Sequence, residues 1–458
     1  MDYTKLPIFA EADIIVCGGG TAGAFAAKAA ADMGKDVLIV EQFGSLGGSA
    51  TNSLVMPIMH SHIPDKNPQC SYIAHIVREK LESIGGCINN GANFDPLLMK
   101  SVLETICYES GVKLLLHTFI ADTVVEDGKV NAIVVANKNG LGLIKGKIFI
   151  DATGDGDVCV RAGAEYSKGD PDTGKNQPIS LRYIIANIDF VAFNEFCTEL
   201  VKKVGTQSGA HSWNDGAYVD CTNDGGSAFN SIFDEAIANG DLVPEDKAYW
   251  QGFIIAGRPN SLAFNCPEFF DEVDGTNPDH LTKAQIIGKQ RVIRQLQFYK
   301  KYFKGFENAY IAEIAPMVGI RESRNINTEY VLTANELLSR KKFDDMFSQS
   351  NYPVDVHGKN LRCDRLTDAV DDGKPWYEIP YGTLVVKGFD NLFISGRCLG
   401  AEFIAQSSLR IQLSARSSGE AAGIAAALCL DNNILPKEVC GKKVREIMIS
   451  KGADFIVE

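Results

Sequence analysis

The pattern of apolar positions changes twice within the first 41 residues. The β-branched run at 14–16 predicts a short buried strand. The alanine-rich run at 24–31 predicts a helix with small side chains on its packing face. After Gly34, the stretch VLIVE predicts a second strand that ends at Glu41. The order strand, helix, strand is typical of a βαβ unit.

Three glycines lie between the first strand and the helix, in the spacing G-x-G-x-x-G. Gly18 permits a tight turn, Gly20 lets the backbone approach a pyrophosphate, and Gly23 lets the helix pack on the strand. The helix N-terminus would offer free N–H groups to phosphates. Glu41 follows Gly18 by 23 residues, close to the ~20 expected for an acid that binds a ribose hydroxyl. The unit predicts an ADP-containing dinucleotide; the alternative is a glycine-rich turn of an unrelated α/β unit.

Beyond this unit, the pattern predicts helices at 71–84 and 95–110, followed by successive strands up to Gly154 with a turn at 126–128. Residues 157–371 are more polar and irregular, although 280–303 has helical patterning. NLFISGRCLG then predicts a strand and turn, and SARSSGEAAGIAAALCL predicts a helix. We therefore expect three segments: a nucleotide-binding domain formed by 1–156 and 372–458, and a substrate or cap domain, 157–371, inserted between them.

Composition narrows the class of protein. The chain has 458 residues, 45% hydrophobic residues, a formal net charge of −13 and a pI near 5.1. The acidic balance argues against a general nucleic-acid or anionic-membrane binder. No apolar run approaches the ~20 residues of a transmembrane helix, and the first residues lack the pattern of a secretory signal. We expect no nucleic-acid partner, no membrane partner and a cytoplasmic location.

Three further segments distinguish FAD from NAD: GSLGGSAT at 44–51, IDATGDGD at 150–157, and 391–423. Together with VGIRESRNI, YPVDVH and IPYGTLV, they resemble the FAD-dependent oxidoreductase family of bacterial flavoproteins, in the branch shared with succinate dehydrogenase and fumarate reductase. The resemblance covers nearly the whole chain. It implies an α/β fold, with an FAD-binding Rossmann-like domain of the glutathione-reductase type and an inserted α+β substrate domain.

The resemblance also implies which positions hold FAD, from the pyrophosphate to the flavin. They are Gly18, Gly20 and Gly23 at the pyrophosphate; Glu41 at the AMP ribose; Gly47, Gly48 and Ser49 toward the flavin; Ile120, Gly154 and Asp155 at the adenine end; Gly396 and Arg397 at the ribityl chain; and Arg410, Ile411 and Gln412 at the start of a final helix that faces the flavin. Many relatives have a His-Glu pair where this chain has Phe403 and Ile404, and a glycine where it has Ser407. These departures put in doubt any mechanism that uses a histidine there.

The chemistry follows partly from what the sequence lacks. No cysteine pair follows the first glycine-rich segment, so thiol–disulfide exchange is not expected. No second complete G-x-G-x-x-G occurs, and no signal for a covalently bound flavin occurs. We expect one non-covalent FAD that exchanges electrons with a small-molecule substrate, with a separate electron donor or acceptor left open. A homo-oligomer is possible, but the only ground for expecting one is the general frequency of such assemblies.

Candidate catalytic side chains come from the family-specific segments. His357 is the first choice for an acid or base, with packing between domains as the alternative. Arg321 could bind a substrate carboxylate or carbonyl, and a salt bridge is an equal alternative; for Arg324 a salt bridge is preferred. His60 and His62 have metal-like spacing, but no third ligand is evident, so no metal is expected.

The leading functional hypothesis is an oxidoreductase that moves a hydride between FAD and a small organic substrate, such as an alcohol, an amine or an activated C–C bond. Two alternatives stay open. One is a non-redox hydratase or isomerase that uses FAD, and the other is an FAD-binding protein that senses redox state or docks a partner. The sequence does not indicate the direction of the reaction.

Overall fold

The structure is a computed structural model that describes residues 3–58, 63, 68–204, 210–211, 218–222, 228–270, 273–358 and 374–456. In chain order the strands are β1 (Ile8–Cys17), β2 (Val37–Val40), β3 (Cys87–Ile88), β4 (Asn93–Phe94), β5 (Lys113–Leu115), β6 (Phe119–Glu126), β7 (Lys129–Asn137), β8 (Gly140–Asp151), β9 (Tyr166–Ser167), β10 (Ile179–Ser180), β11 (Tyr183–Ala186), β12 (Ala210–His211), β13 (Tyr218–Thr222), β14 (Tyr249–Ile254), β15 (Ser261–Phe264), β16 (Glu268–Phe269), β17 (Tyr310–Ile314), β18 (Asn325–Ile326), β19 (Met346–Ser350), β20 (Tyr377–Pro380) and β21 (Leu392–Ile394).

The α-helices, again in chain order, are α1 (Thr21–Ala31), α2 (Tyr72–Ser83), α3 (Pro96–Glu109), α4 (Asp157–Ala162), α5 (Phe190–Val204), α6 (Asn230–Ala238), α7 (Pro244–Lys247), α8 (Pro278–Tyr302), α9 (Ala334–Leu338), α10 (Phe403–Leu409), α11 (Gln412–Asn432) and α12 (Gly441–Ser450). Several begin where the sequence provides a cap. Ser71 accepts a hydrogen bond from the N–H of Ala74 at the start of α2. Asp95, which directly precedes Pro96, accepts hydrogen bonds from the N–H groups of Leu97 and Leu98. Within the described ranges, no helix is both long and apolar enough to cross a bilayer.

The main sheet is parallel at its centre. Its order is β5, β2, β1 and β8; β21 lies parallel to the C-terminal end of β8, while β7 and β6 continue antiparallel from its N-terminal part. The C-terminal half of β1 is buried on both faces, which explains its unbroken apolar run. Strand β21 comes from the last segment of the chain. The ends of β1, β2, β8 and β21 therefore meet at one edge of one sheet, where α/β proteins bind their ligands.

Helices α1 and α11 pack against each other beside this sheet at very short range. A Cβ placed on Gly419 would lie 2.1 Å from the carbonyl oxygen of Ala22, and one on Gly423 would lie 2.2 Å from that of Ala26. Only glycine permits this approach. Helix α11 therefore runs parallel to α1 and begins about two turns before it, so both N-termini point toward the same edge of the sheet.

The middle of the chain forms a second, antiparallel sheet in the order β12, β13, β14, β15, β11 and β17. Its main apolar cluster contains Trp250, Tyr299 and many phenylalanines and is separate from the cluster around α1 and α11. The stretch at 205–230, which resembles a surface loop by composition, contributes the two short strands β12 and β13. The two sheets enclose a cavity between them.

Candidate functional site

The cavity has a volume of about 480 Å³ and runs from the end of β1 to the second sheet. Most residues named from the sequence line it. They are Gly18, Gly20, Glu41, Gly48, Ser49, Ile120, Gly154, Asp155, Arg321, His357, Gly396, Arg397, Arg410, Ile411 and Gln412. Gly23 and Gly47 do not line it. The structure thus brings side chains from all three predicted segments to one cavity.

The first glycines shape one end of the cavity. Gly18 has a φ of +96°, and a Cβ on Gly23 would lie only 1.9 Å from the Gly18 carbonyl oxygen. The N–H of Gly47 donates to the Gly19 carbonyl at 2.8 Å. Gly23 and Gly47 therefore hold the two loops together instead of facing a ligand. Gly20, whose added Cβ would meet no atom closer than 3.8 Å, faces the open space between them.

Glu41 is buried at the end of β2 and bound to the glycine turn. Its Oε2 accepts from the N–H of Gly19 at 2.7 Å, and its Oε1 accepts from the N–H of Phe43 at 2.8 Å. Burial raises the pKa of this carboxyl, although both hydrogen bonds oppose the shift. Because the group also lines the cavity, it is in place to accept hydrogen bonds from ribose hydroxyls.

The N-termini of α1 and α11 both open into the cavity. Gly20 and Ile411 are their N-cap residues, and neither provides a side-chain cap. Several N–H groups at each end therefore remain for a ligand with negative or partly negative oxygens. At the α11 end, Gln412 donates to the carbonyl of Val55 at 2.6 Å. This bond ties the helix start to the loop that follows Ser49.

Arg397 joins three loops at the centre of the cavity wall. Its Nε donates to the Gly154 carbonyl at 2.7 Å, another guanidinium nitrogen pairs with Asp155 at 2.6 Å, and a third bonds the Ile320 carbonyl. Arg324 pairs with Asp157 at 2.9 Å and also bonds the Asp155 carbonyl, so its ion pair is present as preferred from sequence. These contacts hold the 154–157 turn against residues 320–324.

His357 lies between two carboxylates. Its Nδ1 is 3.1 Å from an oxygen of Glu268, and its Nε2 is 3.1 Å from an oxygen of Asp355. Burial opposes ionisation of each acid. The charge of Arg321 beside Glu268 and that of Arg410 beside Asp355 outweigh this effect, so the pKa of both carboxyls is lowered. Ionised carboxylates only accept hydrogen bonds, so a ring nitrogen of His357 that carries a proton can donate it to the acid beside it.

Arg321 forms a buried ion pair with Glu268, not with its neighbour Glu322, and its second contact is the Pro178 carbonyl at 2.9 Å. Arg410 pairs with Asp355 at 2.8 Å. The ring of Tyr249 stands edge-on to His357, with centroids 5.2 Å apart. Burial and the charge of Glu268 raise the pKa of the Tyr249 phenol well above its usual value.

Arg182 completes this end of the cavity and differs from the other two arginines. It is 9% exposed and lines the cavity. Its single hydrogen bond is a long one, 3.4 Å, to the Leu54 carbonyl, and its Nε has no partner in the described chain. Burial, with a contribution from the nearby charge of Arg321, lowers the pKa of Arg182 to about 10.

Five residues of the lining carry a buried polar atom without a hydrogen-bond partner among the described residues. They are Arg182 (Nε), Asn265 (Oδ1), Ser395 (Oγ), Arg410 (Nε) and Gln412 (Oε1). Buried polar atoms are normally paired, so the cavity is built for a polar ligand. The open glycine loop, the acid at 41 and the two uncapped helix ends fit an extended dinucleotide.

Sequence reasoning missed Arg182, Tyr249, Glu268 and Asp355. They come from strands and loops whose patterns carry no motif: Tyr249 begins β14 of the second sheet, whereas Glu268 lies in β16, which pairs with β10. Asp355 did lie inside the quoted YPVDVH segment, two residues before His357, which is the one usable signal. His60 and His62 lie outside the described residues. Within those residues, no group of three or more metal-ligating side chains occurs.

The fold and this cavity define an α/β protein that binds a dinucleotide, with a second, antiparallel sheet bordering one end of the cavity. The sequence profile of the FAD dependent oxidoreductase family matches residues 13–448, and the chain belongs to this family. FAD is accordingly its cofactor.

Comparison with individual proteins gives more distant likenesses. Thiamine thiazole synthase of Methanococcus aeolicus is 29% identical over 158 residues, which cover 31% of this chain and 55% of that protein. The matched stretch therefore spans about half the length of that curated relative.

Among solved structures, a geranylgeranyl bacteriochlorophyll reductase-like protein from Thermoplasma acidophilum has a TM-score of 0.46 at 12% identity, covering 96% of this chain and 84% of that chain. For p-nitrophenol 4-monooxygenase from Pseudomonas putida the values are 0.48 and 10%, with coverage of 97% and 87%. For the myxobacterial chondrochloren halogenase they are 0.49 and 11%, with coverage of 96% and 78%.

Proposed function

We propose that the enzyme moves a hydride between FAD and a small organic acid whose carboxylate binds Arg182. The observation that supports this proposal is the balance of charges where the second sheet borders the cavity. Arg321 has Glu268 as its counter-ion and Arg410 has Asp355, whereas Arg182 has no carboxylate partner in the described chain. Burying a charge without a partner is costly, so a substrate anion at this position would be bound tightly. Guanidinium and carboxylate also match in planar, bidentate geometry.

The proton-carrying groups support a direction for the reaction. When bound, FAD supplies the two-electron donor or acceptor. His357 lines the cavity with a carboxylate beside each ring nitrogen, and the Tyr249 phenol keeps its proton because its pKa is raised. We assign His357 the role of giving a proton to the substrate, whereas Tyr249, whose O–H donates to Gln251 at 2.6 Å, keeps its own proton. This arrangement favours reduction of an activated C–C or carbonyl double bond, with a separate electron donor such as a reduced nicotinamide visiting the same cavity.

The test compares each acid with its own amide. The enzyme is reduced anaerobically and mixed with enoic or oxo acids and with the matching amides, and reoxidation is followed at the flavin band near about 450 nm. We expect reoxidation by one class of acid and a rate about 100-fold lower with its amide, as loss of a buried charge pair implies. In Arg182→Met the rate of reoxidation by the acid should fall to the rate seen with the amide, while the FAD content stays unchanged. Equal rates for acid and amide in the wild type would refute the anion assignment.

A second arm tests the proton donor. His357→Gln should lower the rate of substrate reduction about 100-fold or more while substrate affinity changes little, because the loss affects proton transfer. If the rate is unchanged and only the melting temperature falls, His357 packs between domains and carries no proton. Mixing the oxidised enzyme with the corresponding saturated or hydroxy acids completes the test. Fast bleaching there, with no reoxidation in the first experiment, would reverse the proposed direction.

A further inference from the structure

A second, smaller cavity lies between α2 and the start of α11. It has a volume of about 80 Å³ and shares no lining residue with the FAD cavity. Its walls include Arg78 from α2, Arg416 from α11, and the polar residues Gln69, Asn89 and Asn90. Liquid water occupies about 30 Å³ per molecule. The space therefore suits two or three waters or one small oxyanion.

Arg416 is the unusual residue in this cavity. It is 5% exposed on a helix whose first five turns are almost wholly buried. In the described chain it makes no ion pair, and its Nε has no hydrogen-bond partner. Its only described favourable contact is the face of the Phe25 ring, 5.5 Å from the guanidinium carbon. Burial alone lowers the pKa of Arg416 to about 10, well within the range in which the group stays charged at neutral pH.

Arg78 adds a second guanidinium to the same cavity. It donates to the Asn90 side chain at 3.1 Å and lies 3.8 Å from the half-exposed carboxylate of Glu82. The nitrogen nearest Glu82 is its Nε, which, like that of Arg416, is buried and has no hydrogen-bond partner among the described residues. One small cavity thus contains two guanidinium groups with unused donors.

We propose that Arg416 and Arg78 form a binding site for a small oxyanion, such as inorganic phosphate, sulfate or a short free carboxylate, separate from the FAD and substrate site. Two guanidinium groups offer planar pairs of donors that match the oxygens of such an anion. The anion would supply the counter-charge that Arg416 lacks in the described chain. This inference does not depend on the proposed reaction.

The experiment uses the FAD-loaded enzyme, in which the pyrophosphate position is already filled. Phosphate, sulfate and acetate are titrated separately at constant ionic strength, with chloride as the balancing anion. Binding is measured by calorimetry and by thermal unfolding, and the flavin absorbance reports that FAD stays bound. We expect saturable binding of at least one of the three, with a rise in melting temperature that follows ligand concentration.

The variants separate a binding role from a packing role. Arg416→Met should lower the affinity for the anion at least 10-fold. The anion-free variant should be as stable as the wild type, because the substitution removes a charge that has no partner in the described chain. Arg78→Met should lower the affinity for the anion by a smaller factor, since Arg78 is more exposed than Arg416. Arg445→Met, on α12 and outside both cavities, is the matched control and should bind as the wild type does.

Three results would overturn the proposal. The wild type binds none of the three anions; Arg416→Met binds them as well as the wild type; or Arg416→Met lowers the melting temperature without anions while its anion response is unchanged. If the response disappears in Arg182→Met and persists in Arg416→Met, the anion occupies the substrate end of the FAD cavity.

Discussion

The chemistry of individual residues in this protein depends on how deeply they are buried and on which charged group lies beside them. Arg321, Arg410 and Arg182 are all at one end of the cavity, but only the first two have a carboxylate beside them in the described chain. The same side chain is therefore structural in one position and available to a ligand in another. The sequence names the arginines and cannot name the partner, because Glu268 and Asp355 lie far from them along the chain.

Glu420 shows the same principle for an acid. It is fully buried on α11 and accepts from the Ser71 hydroxyl at 2.5 Å and from the N–H groups of Tyr72 and Ile73. Burial raises its pKa from 4.5 to about 8, against these hydrogen bonds. Between these two values the folded protein binds the proton more tightly than the unfolded chain does. This carboxyl therefore makes stability fall as the pH rises from about 4.5 toward 8.

Glu420→Gln should remove that part of the pH dependence, because the amide stays neutral and keeps a hydrogen-bond acceptor. We expect the variant to gain stability relative to the wild type as the pH rises, by an amount on the order of a few kcal/mol near pH 8. Melting temperatures of both proteins between pH 5 and pH 9 measure the difference. Parallel curves would show that Glu420 is already ionised in the folded protein.

At the scale of elements, the local pattern placed most helices and strands near both ends of the chain. The helix predicted at 71–84 is α2 (Tyr72–Ser83), and the turn predicted at 126–128 joins β6 to β7. These succeed because a cap, a turn or an amphipathic period is a local property. The strands β11, β15 and β17 were not predicted, since they pair with one another across long stretches of chain.

The departure at 403–404 also has an explanation at this scale. Phe403 and Ile404 are buried in α10 and pack with Val354 and Val356. Ser407, on the same helix, accepts from the N–H of Asp355 at 3.2 Å. Helix α10 thus supports the 354–357 segment, and the histidine that lines the cavity comes from that segment.

Two glycine substitutions distinguish cofactor binding from helix packing. In Gly20→Ala the new methyl group meets no protein atom closer than 3.8 Å but projects into the space between the two glycine loops. We expect the FAD affinity to fall at least about 10-fold, with the apoprotein melting temperature nearly unchanged, because the backbone can no longer approach the pyrophosphate. Fluorescence titration with FAD and a melting curve of the apoprotein provide both readings.

Gly419→Ala is the matched change on α11, where the methyl group would lie 2.1 Å from the Ala22 carbonyl oxygen. Here the apoprotein itself should lose about 1–3 kcal/mol of unfolding free energy, since overpacking forces the helices apart. If Gly20→Ala destabilised the apoprotein and Gly419→Ala did not, the assignment of the two glycines would be wrong.

At the scale of the whole molecule, the second sheet must dock on the first for the cavity to exist. Arg258, beyond β14, pairs with Asp95 at the start of α3: its Nε lies 2.5 Å from one carboxylate oxygen and another nitrogen lies 2.9 Å from the other. A Cβ on the neighbouring Gly257 would lie 2.9 Å from the Gly85 carbonyl oxygen. The loop that follows β14 therefore contacts the start of α3 and the end of α2 at a point outside the cavity lining.

Arg258→Met should loosen this contact without unfolding α3, because Asp95 still caps the N–H groups of Leu97 and Leu98. We expect faster hydrogen exchange at 255–258 and at 85–95, and kcat/KM about 10-fold lower because the substrate is held less well. FAD affinity should change little, because the glycine loops and Glu41 are elsewhere. Unchanged exchange at both segments would show that the cap is held by other contacts.

The sequence by itself determined the dinucleotide unit, because the glycine spacing, the helix and Glu41 are adjacent along the chain and their backbone geometry is local. The residue patterns further along indicated FAD, and the family that the chain belongs to agrees. Only the tertiary structure decided which charges are compensated. It placed His357 between Glu268 and Asp355 and left Arg182 and Arg416 without a carboxylate in the described chain. The physical reason is that the cost of a charge depends on its burial and on its neighbours in space, and neither is a local property of the sequence.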